Sequence, residues 1–326
     1  MPEVTFVQAV TQALMYEMGA DDRVVVLGED VAATGGVFRA TEGLVERYGP
    51  DRVIDTPISE TVIAGLGIGL AAEGMRPVVE IQFTGFIYPA LDQLLNHASR
   101  LRNRTRGRLT CPMVLRAAGG GLIKSPEHHS DTPEALLATI PGLKVVVPST
   151  PAQAYGLLLA AIRDPDPVVV LETSRLYRSL REDVPDDGVA LPIGMSFVRR
   201  QGTDLTLVTW GGMVPDVLAV ADELAADGIE ATVIDVASIS PLDMDPILES
   251  VGRTGRCVIV HEAARQGGFG AEIAARLADE GLTSLAAPVT RLTGYDAIYP
   301  LARLEGRYVP DRRRIAAAAR KVLEYA

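Results

Sequence analysis

The sequence predicts an α/β protein of two domains, each a mostly parallel sheet flanked by helices. Three observations carry that expectation. Continuous apolar runs such as Arg23-Val24-Val25-Val26-Leu27 and Val168–Leu171 mark strands buried on both faces of a parallel sheet. They alternate with segments whose apolar residues recur at helical spacing, as crossover helices require. The pattern then restarts after Arg181-Glu182-Asp183-Val184-Pro185-Asp186-Asp187-Gly188, whose charge, proline and glycine predict an interdomain linker. The expected boundaries are a first domain over 1–180, a linker over 181–198 and a second domain over 199–326.

Thr5 is placed to cap a helix carrying Phe6, Val10, Leu14 and Met18. The strand Arg23–Leu27 ends at Gly28-Glu29-Asp30, the carboxyl end where open α/β sheets put ligands. Thr41 is expected to cap a short helix through Leu44, Val45 and Tyr48. A strand spans Arg76–Phe83, with Thr84-Gly85-Phe86 as its exit. Ile87, Leu91, Leu94, Leu95, Ala98 and Leu101 form a helical stripe, and Cys111–Leu115 is a further strand. The long loop Ala117–Asp131 follows, of a length that is usually functional. Leu143–Val147 is a strand, and Thr150-Pro151 opens a helix because proline suits the first helical position. The second domain should run strand Asp204–Thr209, helix from Val214, strand Ala231–Val236, helix Asp245–Val251, strand Cys257–Val260. A helix Gly270–Asp279, a strand Val289–Leu292 and a last helix Arg312–Tyr325 complete it.

Composition narrows the function. Of 326 residues, 48% are hydrophobic and 22% charged, with a formal net charge of −11, which argues against nucleic acid or an anionic membrane as the partner. The Arg312-Arg313-Arg314 run is expected on a solvated helix face. The longest apolar run, near 61–72, is too short to span a bilayer. Pro2-Glu3-Val4-Thr5-Phe6 has no basic n-region, so a cytoplasmic location is the expectation. Two cysteines, Cys111 and Cys257, sit far apart beside apolar runs and should be buried core thiols. Four histidines without zinc spacing argue against a transition-metal enzyme.

The most informative stretch is Asp55-Thr56-Pro57-Ile58-Ser59-Glu60. Glu60 opens a helix that carries no further charge through Ala71. A first-turn carboxylate offsets the orphan N–H groups of a helix, and that alone would explain it. Gly67-Ile68-Gly69-Leu70-Ala71-Ala72 matches the dinucleotide fingerprint G-x-G-x-x-A, with Glu80 downstream. That motif needs a strand running straight into its glycines, whereas turn and helix precede these, and Glu80 falls inside a strand. Glycines 65, 67 and 69 are instead expected to let another backbone approach this helix, from within the chain or from a partner.

Several runs together resemble one family: Leu27-Gly28-Glu29-Asp30-Val31, Asp55–Glu60, Glu80-Ile81-Gln82-Phe83, His129-Ser130-Asp131, Pro141–Val146, Ile162–Pro167, Leu176–Ser179 and Ala271-Glu272-Ile273. In this order, over nearly the whole chain, the sequence is similar to β subunits of the E1 component of 2-oxo acid dehydrogenase complexes, of the pyruvate or branched-chain type.

The resemblance implies a transketolase-like fold. The first domain would bind the aminopyrimidine of thiamine diphosphate, and the second would build the assembly. It implies an α2β2 heterotetramer in which the E1 α subunit holds the diphosphate and Mg²⁺ through a GDG motif that this chain lacks. Further implied partners are the dihydrolipoyl acyltransferase E2 and a small 2-oxo acid. Glu60 is implied as the catalytic carboxyl on the cofactor's pyrimidine, at the mouth of the apolar helix Val62–Leu70. Phe86 is implied to lie against that ring, with Gln82 lining the pocket. His129 is implied in substrate binding and acyl transfer to lipoyl, whereas His128 stands where some relatives carry Tyr or Leu. Asp164 and Asp166, with carbonyls of Met113, Ala161 and Ile162, match a structural K⁺ site of some relatives. Asp166 replaces a frequent Asn. Open alternatives are an acetoin dehydrogenase β subunit, a non-catalytic assembly module for an E2 core, and an NAD-binding dehydrogenase.

Overall fold

The computed structural model describes residues 3–325. They divide into two units, one of Met1–Gly119 with Leu136–Ile193, the other of Gly120–Ala135 with Gly194–Ala326. Among the described residues no helix is long and apolar enough to cross a membrane.

The chain begins with strand β1 (Val4–Thr5) and helix α1 (Phe6–Ala20). Thr5 caps α1 as expected. Its hydroxyl accepts the Gln8 N–H and the Gln8 side chain accepts the Thr5 N–H, which satisfies two orphan donors reciprocally. There follow β2 (Val24–Gly28), α2 (Leu44–Tyr48), β3 (Val53–Asp55), α3 (Glu60–Ala72) and β4 (Arg76–Phe83). After these come α4 (Leu101–Arg104), β5 (Val114–Gly119), α5 (Glu134–Ala138), β6 (Lys144–Val146), α6 (Pro151–Arg163), β7 (Val168–Thr173) and β8 (Arg181–Glu182). Six of these strands lie parallel in the order β6-β7-β5-β4-β2-β3. All the carboxyl ends therefore meet along one edge.

Several local expectations shift. Thr41 does not cap α2, whose N-cap is Gly43. Its buried hydroxyl donates instead to the Val31 carbonyl at 2.7 Å. The strand expected at Cys111–Leu115 starts later, at Val114, because Pro112 has no N–H for a ladder and Met113 N–H closes a turn onto the Cys111 carbonyl. The stripe from Ile87 to Leu101 is helical only in pieces. A π segment, Gln93–Ala98, interrupts it, with Ser99 N–H donating to the Leu94 carbonyl. Of the α3 glycines, a Cβ on Gly67 would meet side chains, Val79 Cγ2 at 2.6 Å and Met113 Sδ at 2.8 Å, while Gly69 faces nothing within 4 Å. Within this chain the close approach is thus of side chains to the helix, tightest at Gly67.

The polar stretch after β7 is tied down. β8 pairs antiparallel with β1, Tyr155 Oη donates to Asp186 Oδ1 at 3.0 Å and accepts the Gly188 N–H at 2.9 Å, and Leu191 N–H donates to the Gly156 carbonyl.

In the second unit the elements are β9 (Phe197–Arg200), β10 (Leu205–Thr209), α7 (Val214–Ala226), β11 (Ala231–Asp235), β12 (Ser238–Ser240) and α8 (Asp245–Thr254). They continue with β13 (Cys257–Val260), α9 (Gly270–Glu280), β14 (Thr290–Leu292), α10 (Glu305–Tyr308) and α11 (Arg312–Leu323). The sheet order is β14-β13-β10-β11-β9, parallel except for β9 at its edge. Its core joins Leu205, Leu207 and Val233 to Val217, Leu224, Ile315 and Ala319 from α7 and α11. The arginine run does more than solvate α11: Arg314 donates to the Thr293 carbonyl at 3.0 Å and lies over the Tyr295 ring.

Both cysteines are buried free thiols, as expected, and burial pushes each up to about 12.

Candidate active site

In the first unit the carboxyl edge gathers the residues singled out from the sequence. β3 ends at Asp55, which accepts the Ala32 and Ala33 N–H groups at 2.7 and 3.0 Å and so shapes the segment after β2. Thr56 N–H donates to the Gly28 carbonyl. The chain then turns at Pro57 and Glu60 begins α3, half-buried. Gln82 and Phe86 sit at the end of β4 and in the 3₁₀ turn Thr84–Phe86, two strands away. Thr61, next to Glu60, donates its hydroxyl to the Pro89 carbonyl at 2.7 Å, which ties the start of α3 to the Phe86 exit. Phe86 packs edge-on to Phe83 at 5.8 Å, and Phe83 in turn to Phe38.

Electrostatics mark the same place. Glu29, at the end of β2, has its carboxyl raised by burial first and then by the charges of Asp30 and Glu60. The Glu29 and Glu60 carboxylates are therefore close enough to feel each other's charge. The apolar flank expected beside Glu60 is half uncovered, with Ile58, Val62 and Leu66 all exposed. The G-x-G-x-x-A run lies wholly inside α3, not at a strand-to-helix turn, so it has no phosphate-binding geometry.

Beneath this edge lies a network the sequence reading missed. Arg116 on β5 is fully enclosed between Glu80 of β4, to which it donates, and Glu172 of β7, which it holds bidentately at 2.8 and 2.7 Å. Tyr177 Oη adds a 2.5 Å bond to Glu172. Burial opposes charge on Arg116, but the Glu172 and Glu80 carboxylates outweigh it and raise its pKa. Burial raises that of Glu80. The available signal was a single charge in mid-run on three neighbouring apolar strands.

The expected K⁺ donors are already engaged within the chain. Asp164 Oδ2 takes Lys144 Nζ at 2.5 Å, and its Oδ1 takes the Asp166 N–H. Asp166 pairs with Arg102 at 2.7 Å. The Ile162 carbonyl accepts from Arg76 at 2.7 Å, that of Ala161 from Asp164 N–H and that of Met113 from Val168 N–H. Three fixed cations thus already serve the two carboxylates and the Ile162 carbonyl, and they would oppose a further cation there.

His129 belongs to the second unit, in a 3₁₀ turn Glu127–His129. Its N–H donates to the Pro126 carbonyl, its ring lies 4.4 Å from that of His128, and Ser125 and Ser130 hydroxyls meet at 3.1 Å across the turn.

Comparison with known proteins agrees with this architecture. Residues 2–179 match the transketolase pyrimidine-binding domain, and residues 194–315 the transketolase C-terminal domain. The chain is 47% identical over 325 residues to the pyruvate dehydrogenase E1 component subunit beta of Bacillus subtilis (strain 168), covering 100% of both. It is 45% identical, with the same coverage, to the protein of that name from Staphylococcus aureus (strain N315). A solved split-gene transketolase, described as an inactive beta4 tetramer, superimposes with a TM-score of 0.82 at 24% identity over 99% of each chain, which shows the transketolase-like fold. The chain belongs to the β subunits of the E1 component of 2-oxo acid dehydrogenases, built from the two transketolase-type domains.

Proposed function

We propose that this chain is the β subunit of a thiamine-diphosphate-dependent pyruvate dehydrogenase E1. It would decarboxylate pyruvate oxidatively and pass the acyl group to the lipoyl group of E2. The observation that carries the reading is the placement of Glu60 at the head of α3, on the edge that also bears Gln82 and Phe86. A carboxyl, an amide and an aromatic face suit a flat nitrogen heterocycle such as the aminopyrimidine. Beside them the buried Thr56 hydroxyl has no hydrogen-bond partner among the described residues, so a polar ligand has an anchor there. Pyruvate is favoured as substrate by the names of relatives sharing 45–47% identity.

When bound, thiamine diphosphate would supply the carbanion chemistry that decarboxylates 2-oxo acids. Glu60 would hold or share a proton at the pyrimidine nitrogen. Phe86 would fix the ring plane and Gln82 one of its edges. His129 would orient the substrate and serve transfer to lipoyl. The first unit thus takes the pyrimidine and the second serves assembly, in a cytoplasmic α2β2 tetramer whose α subunit holds the diphosphate and Mg²⁺. The uncovered apolar flank of α3 supports a partner subunit at this edge.

Calorimetric titration of thiamine diphosphate and Mg²⁺ tests the split site: binding is expected with the α subunit present and absent without it. In the tetramer, Glu60→Gln should lower pyruvate decarboxylation by roughly 10²–10⁴-fold. Undiminished turnover would remove Glu60 from catalysis and favour the assembly-module reading. Pyruvate and 3-methyl-2-oxobutanoate run side by side decide the substrate.

A further inference from the structure

In an open parallel sheet the carboxyl ends of the strands are where ligands bind. In the second unit that place is filled by the chain itself. β10 ends at Thr209, and the next residue, Trp210, donates its indole N–H to Glu134 Oε1 at 3.2 Å. β13 ends at Val260, and Glu262 accepts the Gly121 N–H at 2.8 Å. Beyond β14 the chain brings Tyr299, whose hydroxyl accepts the Leu122 N–H at 3.0 Å, and Glu305, which accepts the Lys124 N–H at 3.2 Å. These three strands are adjacent and parallel, so the four side chains converge on Gly120–Ala135 from one edge.

The gripped backbone could not hold this shape unaided. Leu122 and Lys124 have φ of 65° and 59°, a left-handed conformation that costs any residue with a Cβ. They are two of the residues whose N–H groups are held. Gly121 is required by the same contact, since a Cβ there would lie 2.3 Å from Tyr299 Oη. Tyr299, Glu262 and Glu305 are all buried, so their bonds replace solvent and are costly to lose. The strained backbone leads directly into Ser125 and the turn that carries His128 and His129.

We propose that Trp210, Glu262, Tyr299 and Glu305 are positioning residues that hold the 120–135 loop as a captive ligand of the second unit's carboxyl edge, and so set the place of His129. The clasp stands on its own contacts. Its effect on turnover rests on the role proposed above for His129.

The test uses the full chain assembled with its α subunit and compares Tyr299→Phe, Glu305→Met and Glu305→Gln. Amide hydrogen exchange over 121–125 should accelerate roughly tenfold in Tyr299→Phe and Glu305→Met, with β10 and β13 amides unchanged. Glu305→Gln keeps an acceptor oxygen and should retain most of the protection. Acyl transfer to lipoyl should fall several-fold more than decarboxylation read with an artificial oxidant. Unchanged exchange in both Tyr299→Phe and Glu305→Met overturns the clasp. Faster exchange with an unchanged ratio of the two half-reactions overturns its link to catalysis. A His129→Ala tetramer with both half-reactions intact instead sinks the role given to His129, while the exchange result still decides the clasp.

Discussion

Trp210 and Glu134 face each other inside the second unit, the indole N–H 3.2 Å from the carboxylate oxygen. Burial first, and then the nearby Glu262 charge, push the Glu134 carboxyl up to about 7, against the lowering effect of its own backbone N–H and of Trp210. The chain has one tryptophan, so tryptophan emission reports the surroundings of Trp210. A titration of emission should show a midpoint near pH 7, absent in Glu134→Gln. His261, stacked on Trp210, is lowered to about 4 by burial and so titrates outside that window. The folded state binds the Glu134 proton more tightly than the unfolded chain does. The stabilisation is therefore full below the carboxyl's ordinary value of 4.5 and is lost as pH rises through about 7. It is of order 3 kcal/mol, measurable as a falling denaturant midpoint.

Arg116 should be the costliest single position in the first unit. Arg116→Met strands Glu80 and Glu172 without a counter-charge, and a loss of about 3–5 kcal/mol in unfolding free energy is expected. Tyr177→Phe removes only one hydrogen bond to a buried carboxylate and should cost about 1.5–3 kcal/mol. An equal effect of the two would mean that the network does not centre on the guanidinium.

Lys144, Arg76 and Arg102 engage Asp164, the Ile162 carbonyl and Asp166, three of the groups that a potassium ion would need. Replacing KCl by choline chloride at constant ionic strength should leave the unfolding midpoint unchanged. Lys144→Met should lower stability by up to about 1 kcal/mol, a modest figure because the pair is partly open to solvent. A clear potassium-dependent rise in the wild-type midpoint would contradict the engaged geometry at Asp164.

Two glycines two residues apart in α3, on nearly opposite faces of the helix, should respond with opposite sign. Gly67→Ala puts a methyl into Val79 and Met113 and is expected to cost about 1–3 kcal/mol. Gly69→Ala meets open space in the isolated chain and should gain about 1 kcal/mol from helix propensity. Denaturant unfolding of the isolated chain reads both.

What could be read ahead of the coordinates was whatever depends on neighbours in the chain. β4 is found at Arg76–Phe83 and β13 at Cys257–Val260 as the apolar runs indicate, and Thr5 and Thr150 cap their helices as their spacing indicates. Local chemistry also explains the slips: Pro112 delays β5, and Thr41 spends its hydroxyl on Val31. Glu60 stood out as a lone charge heading an uncharged helix, but its expected role, like that of Phe86, came with the resemblance to the E1 β subunits. Arg116 was not visible, because a charge within an apolar run gives no hint of its partners 36 and 56 residues away. The grip on the histidine loop was more remote still, joining Gly121 to Glu262 and Leu122 to Tyr299 across 141 and 177 residues.

The two buried thiols have a practical corollary. With both held near 12, almost no thiolate exists at neutral pH, and neither sulfur meets solvent. The native chain is therefore already silent to maleimide. A Lys124→Cys variant, at an exposed position, would give this chain one site to take a dye, so loop motion can be followed by fluorescence without first replacing its two native cysteines.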